Sequence, residues 1–215
     1  MGQARATTEE EAASLALSLL REPGVASFNE QNDRARASRK WFGTARDEIL
    51  RSRDWNFATA WATPARDLTD SIGILKKRYR LPADCLKVRF VNDLEQDEWA
   101  VETGTIDQAG VQTPAAVLVT NSDAPLICYT KVVDLVRLWD TQFLLAFARR
   151  LAELMAGEFG KSAGDIQQLG ALAEETTDRA ARTDAREQAP STYSRDTSWT
   201  AARRGFRRSI FDPRR

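Results

Sequence analysis

Around Arg53–Trp61 the spacing of apolar residues switches from one regular period to another, and that switch limits what this chain can fold into. Upstream, Ser38, Trp41, Phe42, Ala45 and Ile49 recur at the spacing of one helix face. Downstream, Trp55, Phe57 and Trp61 share one side of a period-two alternation, as in a strand. Helical spacing returns near Leu138. The chain is therefore read as mainly α with a β insertion: a four-helix-bundle-like body, a small antiparallel β-sheet inserted between helices 2 and 3, and an extended C-terminal tail.

Local signals set the expected limits. A first helix is predicted over 8–22, because Thr7 or Thr8 can cap it, Glu9–Glu11 suit the positive end of its dipole, and Pro23-Gly24 ends it. A second spans 29–54, with Arg34, Arg36, Arg39, Lys40 and Arg46 outward and Trp41, Phe42, Ala45, Ile49 and Leu50 inward. The β insertion covers 55–131, with strands at 55–63, 85–91, 99–103, 115–120 and 126–131. Leu86, Val88 and Phe90 are expected on one buried face, and Pro82 holds Leu81 extended. The stretch 104–114 reads as a long loop and 121–125 as a turn. A broadly apolar third helix is predicted over 133–157 and a fourth over 163–188, whose polar second half is either solvated or packed on a neighbouring subunit. Trp41, Trp55, Phe57, Trp61, Pro82 and Leu86 are the expected structural residues.

Composition narrows the chemistry. With 42% hydrophobic and 29% charged residues, the chain matches an ordinary water-soluble domain and contains no uninterrupted apolar span. The start, Met1-Gly2-Gln3-Ala4-Arg5, lacks an apolar signal core, so an intracellular product is expected. There is no histidine, which excludes Ser-His-Asp and Cys-His catalysis within the chain and removes the commonest metal ligand. Cys85 and Cys128 read as small buried hydrophobes rather than a disulfide or a zinc site. Nucleotide-loop, zinc-protease and nucleophile-elbow motifs are missing. The carboxylate groups Glu95, Asp97 and Glu98, or Glu174 and Glu175, read as loop and helix surface rather than a glycosidase pair. No enzyme activity, metal or cofactor is expected.

The formal charge of +0 conceals an asymmetry. From Pro190 onward seven arginines face two aspartates, 7 − 2 = +5, leaving 24 − 29 = −5 for the rest. Tyr193, Trp199, Phe206, Ile210 and Phe211 are spaced among Arg203, Arg204, Arg207 and Arg208, a pattern suited to filling pockets and making charge-assisted bonds on a partner surface. The same arginines also suit nucleic-acid phosphates, which is the alternative reading.

The order of a helix pair, Asp54-Trp55-Asn56-Phe57-Ala58, a loop, Tyr79-Arg80-Leu81-Pro82-Ala83-Asp84-Cys85-Leu86-Lys87-Val88 and Phe147-Ala148-Arg149-Arg150-Leu151-Ala152 resembles head-to-tail adaptors of tailed bacteriophages, in particular the tail tubular protein A or tail accessory factor of short-tailed phages. The likeness runs from about residue 8 to 188. It implies an adaptor domain over 1–189 and a portal-docking tail over 190–215, in a structural virion protein of the tail or neck that is made in the host cytoplasm. The implied partners are the portal protein, a tail nozzle or tail tube protein, and eleven further copies in a ring of twelve. Packaged DNA passes through such a ring without specific binding, and no membrane is involved. The portal contacts are assigned to Tyr193, Trp199, Arg203, Arg204, Phe206, Arg207, Arg208, Ile210 and Phe211. The nearest alternatives are a siphovirus-type connector or tail-completion protein and, without supporting motif, a virion cell-wall hydrolase.

Overall fold

The computed structural model of the chain describes residues 6–67, 73–92, 94–95, 98–108 and 111–186. Thr8 opens α1 (Glu9–Leu19) with a capping box, its hydroxyl accepting from Glu11 N while the Glu11 carboxylate accepts from the cap backbone. Asn32 caps α2 (Asp33–Ser52), accepting from Ala35 N at 2.8 Å. After the β region come α3 (Thr141–Ala156) and α4 (Ala163–Arg186). The third helix starts later than predicted because Asp140 accepts from Gln142 N and fixes the start there. The residues before it form a 3₁₀ turn, Val136–Leu138.

The β region departs most from expectation. Among the described residues, seven strands form two antiparallel sheets, not one small one: β1 (Thr59–Ala62), β2 (Ala65–Arg66), β3 (Lys77–Arg80), β4 (Cys85–Val91), β5 (Trp99–Gln108), β6 (Val111–Thr120) and β7 (Ile127–Lys131). One sheet has the order β1-β7-β4 and the other β2-β3-β6-β5. Tyr79 and Leu118 of the four-stranded sheet pack with Val88, Val91, Ile127 and Tyr129 of the three-stranded sheet in a core of their own. The four-helix-bundle-like body with a single inserted sheet is thus corrected to a helical half and a two-sheet half, each with a buried cluster.

The misread segments have physical reasons. The supposed loop 104–114 belongs to the β5–β6 hairpin, paired without a break from Trp99↔Thr120 to Gln108↔Val111. Its residues are polar, yet Thr103, Thr105, Ile106, Val111 and Thr113 are β-branched and favour extended backbone. Pro114 is tolerated because β3 pairs with β6 only from Val117 to Thr120, so no ladder bond is needed on its other side. Strand β3, Lys-Arg-Tyr-Arg, offers almost no apolar signal. Arg78 is nevertheless buried, running beneath Gly104 to donate from Nη2 to Thr105 O at 2.8 Å.

In β4 the expected Leu86–Val88–Phe90 face does not exist. Opposite β7 the register advances from Cys85↔Lys131 to Lys87↔Thr130 and from Val88↔Tyr129 to Phe90↔Cys128, so Leu86 and Arg89 are extra residues in two bulges. Leu86 therefore packs on the helical core, Val88 enters the core between the sheets, and Phe90 points out. A 3₁₀ turn at Asn56–Ala58 likewise breaks the Trp55–Phe57–Trp61 alternation. Trp55 and Phe57 join the helical core, while Trp61 is exposed.

That core is centred on aromatic rings. Phe143 meets Trp55 and Trp139 edge-on at 5.1 Å each and Phe57 at 4.9 Å. Phe147 contacts Trp139 and Phe42 at 4.8 Å each. Both buried indoles are satisfied: Trp55 Nε1 donates to Ile49 O and Trp139 Nε1 to Val133 O, each at 2.8 Å.

Gly104→Ala places a Cβ onto the Arg78 guanidinium and is expected to cost about 1–3 kcal/mol, as overpacking does. Gly43→Ala, in the middle of α2 with nothing within 4 Å of the added carbon, is expected to stabilise by about 0.5–1 kcal/mol. Urea denaturation of the two variants measures both.

Candidate interaction surfaces

The stretch Asp54–Ala58 lies at the joint between the two halves, while Tyr79 lies between the sheets and Phe147–Ala152 within α3. Leaving α2, the chain buries Trp55 and then turns through Asn56–Ala58 into β1. Asn56 N donates to Asp184 Oδ2 at 2.9 Å and Asn56 Nδ2 to Asp184 O at 2.6 Å, so the end of α4 is fastened to the start of the β region. From the bulge in β4, Arg89 reaches back to the same place. It donates to Thr130 Oγ1, Thr59 Oγ1 and Trp55 O, all at 2.8 Å, with Asp54 at 3.5 Å and its side chain only 6% exposed. Arg51 adds a bond to Leu86 O at 2.6 Å. Asp84 accepts from the Tyr129 hydroxyl at 3.1 Å, and burial followed by the Asp84 charge pushes that phenol up to about 12. Beside it, burial first and Asp84 second push the Cys85 thiol up to about 11, which keeps it a thiol at neutral pH. Cys85 and Cys128 are not bonded to each other.

The expected structural residues divide between these parts. Trp41 sits half-buried against the helical core, and its Nε1 donates to Glu158 Oε1 at 2.6 Å. Pro82 O accepts from Cys85 N at 3.0 Å in the turn that feeds β4. Trp55, Phe57 and Leu86 pack on the helical core, whereas Trp61 lies on the outer face of the three-stranded sheet. The expected portal contacts Tyr193, Trp199, Arg203, Arg204, Phe206, Arg207, Arg208, Ile210 and Phe211 all lie outside the described residues.

The polar half of α4 packs on its own chain. Thr176, Thr177, Ala180 and Asp184 are buried, Arg149 donates to Thr176 Oγ1, and Arg53 pairs with Asp178. Alongside, Arg150 makes a two-pronged bond to Glu48 at 2.6 and 2.9 Å and a third to Glu153 at 2.6 Å. The basic face predicted for α2 is partly spent within the chain too: Lys40 pairs with Glu158 at 2.8 Å and Arg46 with Asp47 and Asp134.

Two clefts border these helices. One, of about 290 Å³, lies among Glu48, Ser52, Arg53, Arg150, Glu174 and Asp178. The other, of about 390 Å³, lies between α1 and α4 and is lined by Leu19, Leu20, Arg21, Lys161, Asp165 and Leu172. Among the described residues no three side chains of metal-ligating type converge, and no helix is long and apolar enough to cross a membrane. Glu175 pairs with Arg179 at 2.7 Å on the surface of α4, and Glu98 accepts from Glu95 N at 2.5 Å, so both acidic groups are engaged locally.

No family model matches this chain, and no curated protein matches it.

Arg89→Met removes three charge-assisted bonds from a buried position and takes from Thr130 Oγ1 its partner, while Thr59 Oγ1 and Trp55 O keep their own bond at 3.0 Å. A loss of about 3 kcal/mol is expected in chemical denaturation, against less than about 1 kcal/mol for the more exposed Lys87→Met. Bonds from Lys40 and then Trp41 hold the Glu158 carboxyl below its ordinary value of 4.5. The stabilisation from that lowered pKa is present above the unfolded value and disappears as pH falls through the folded one. An NMR titration following the Trp41 indole N–H is therefore expected to show its midpoint below 4.5, and a midpoint at or above 4.5 would contradict the assignment.

Proposed function

We propose that the chain is a structural head-to-tail adaptor of a tailed bacteriophage, assembling as a ring between portal and tail that extends the DNA channel. The observation that carries this reading is where the adaptor-like residues fall. The stretches Asp54–Ala58 and Tyr79–Val88 contribute Trp55, Asn56, Leu86 and the following Arg89 to a single joint that locks helices to sheets. A run of sequence spent on holding two halves at a set angle suits a protein whose task is shape. The charge division supports the same reading: an acidic body repels DNA phosphates in a channel, and a +5 segment from Pro190 onward, 7 − 2, suits docking on another protein. The two-sheet half is assigned to the next tail component and residues 190–215 to the portal.

Deletion of residues 190–215 is expected to abolish attachment to the portal ring of the same phage, observed by electron microscopy of the co-assembled particles. Retained attachment would sink the portal assignment. The alternative, nucleic-acid binding through the arginines, rests on the same segment. It requires filter-bound DNA whose affinity falls steeply with salt. The isolated chain is expected to sediment as a monomer, with the ring forming on the portal template.

A further inference from the structure

Trp61 and Phe90 stand on the outer face of the three-stranded sheet, 52% and 45% exposed, with ring centroids 5.3 Å apart and planes at 78°. Both flank Cys128 in the ladder, Trp61 from β1 and Phe90 from β4. Phe90 is there because the bulge at Arg89 turns it outward, away from the core between the sheets. An edge-to-face pair held in this way leaves ring surface open to a third aromatic ring or to a guanidinium, either of which it binds favourably.

We propose that this aromatic pair is the docking site for the chain's own C-terminal segment, residues 190–215. Geometry and composition both lead there. The two bonds between Asn56 and Asp184 fasten the end of α4 to the turn that enters β1, so the chain leaves α4 close to the strand that carries Trp61. From Asn56 to Trp61 is 61 − 56 = 5 residues, at most about 17 Å. From Arg186 to Tyr193 is 193 − 186 = 7 residues, up to about 24 Å, and Trp199 reaches farther. The segment is rich in the groups the pair takes, with Tyr193 and Trp199 beside Arg195 and Arg203. A tether this short gives an effective concentration on the order of millimolar, enough for a weak aromatic contact to be occupied. The inference does not depend on the portal reading, since it concerns one chain alone. If both hold, a portal would have to draw the segment off this sheet.

Limited trypsin digestion of the full chain tests it, followed by mass spectrometry of cleavage after Arg203, Arg204, Arg207 and Arg208. Cleavage is expected to be about fivefold faster in W61S/F90S than in the unaltered protein, and equally accelerated in Y193S/W199S. The second variant leaves the sheet intact, so it decides the matter even if the first fails to fold by circular dichroism. Protection in the unaltered protein is expected to be the same across a hundredfold range of protein concentration. In addition, amide exchange in β1 and at Phe90 is expected to rise severalfold in a chain ending at residue 189. Equal cleavage rates in all three proteins would overturn the proposal. Protection that fades on dilution would overturn it too, by assigning the pair to a second copy. None of these measurements uses a portal, so their failure is distinct from failure of the adaptor reading.

Discussion

Phe143 stands edge-on between two indoles that arrive from opposite directions along the chain. Trp55 comes from the passage out of α2 into the sheets, and Trp139 from the passage back out of β7 into α3. These are the two places where the backbone crosses between the helical and β halves, and both are sealed on one ring in the first turn of α3. Each indole N–H is spent on a carbonyl six residues earlier, Ile49 or Val133, so neither buried ring leaves an unmet donor. The positions of α2, α3 and the three-stranded sheet follow from this contact, with α1 completing the cover through Ala12, Ala13, Ala16 and Leu17. Without it the two cores would be joined chiefly by Leu86 and by the bonds of Arg89, Asn56 and Arg51.

Arg89 secures the same joint from the side of the sheet, and it illustrates where the amino-acid sequence was legible and where it was not. The helices could be read because apolar spacing and a cap such as Thr8 are local signals, whereas Asn32, which opens α2, falls inside the predicted span 29–54. Strand β4 was placed at its observed limits for the same reason. Which way its side chains point was not legible, because a bulge changes direction without changing residue type, and two of them send Leu86, Val88 and Phe90 to three different environments. Strand β3 and the far part of the β5–β6 hairpin were missed because they are held by ladder bonds and by Arg78 rather than by alternating apolar residues. The local signal that was available, a density of β-branched residues from Thr103 to Thr113, was outweighed by their polarity.

Among the surface features, the polar second half of α4 turns one face, Thr176, Thr177, Ala180 and Asp184, onto its own chain and leaves Arg179, Arg182 and Thr183 exposed. A helix of threonine, alanine and charged residues can pack closely when its partner supplies arginines, and Arg53 and Arg149 do so here. The exposed Trp61 had a signal of its own in retrospect. It stands three residues beyond the end of the 3₁₀ turn at Ala58, so its parity could not be inherited from Trp55 and Phe57. The residues assigned to portal binding carry a different kind of sign, an alternation of aromatic and arginine that is compositional and has no period to place it on an element.

Strand β6 is paired on both sides only from Val117 to Thr120, while its pairing with β5 continues back to Val111. Over those six remaining positions, 111 to 116, the hairpin is a two-stranded ribbon about 20 Å long that reaches past the rest of its sheet. Its root is where Arg78 passes under Gly104 to hold Thr105 O. The arrangement is that of a pointer on a pivot. By geometry alone, a difference in tilt of about 10° at the root displaces a point about 20 Å along the ribbon by about 3.5 Å, so the Arg78–Gly104 packing sets the ribbon's direction.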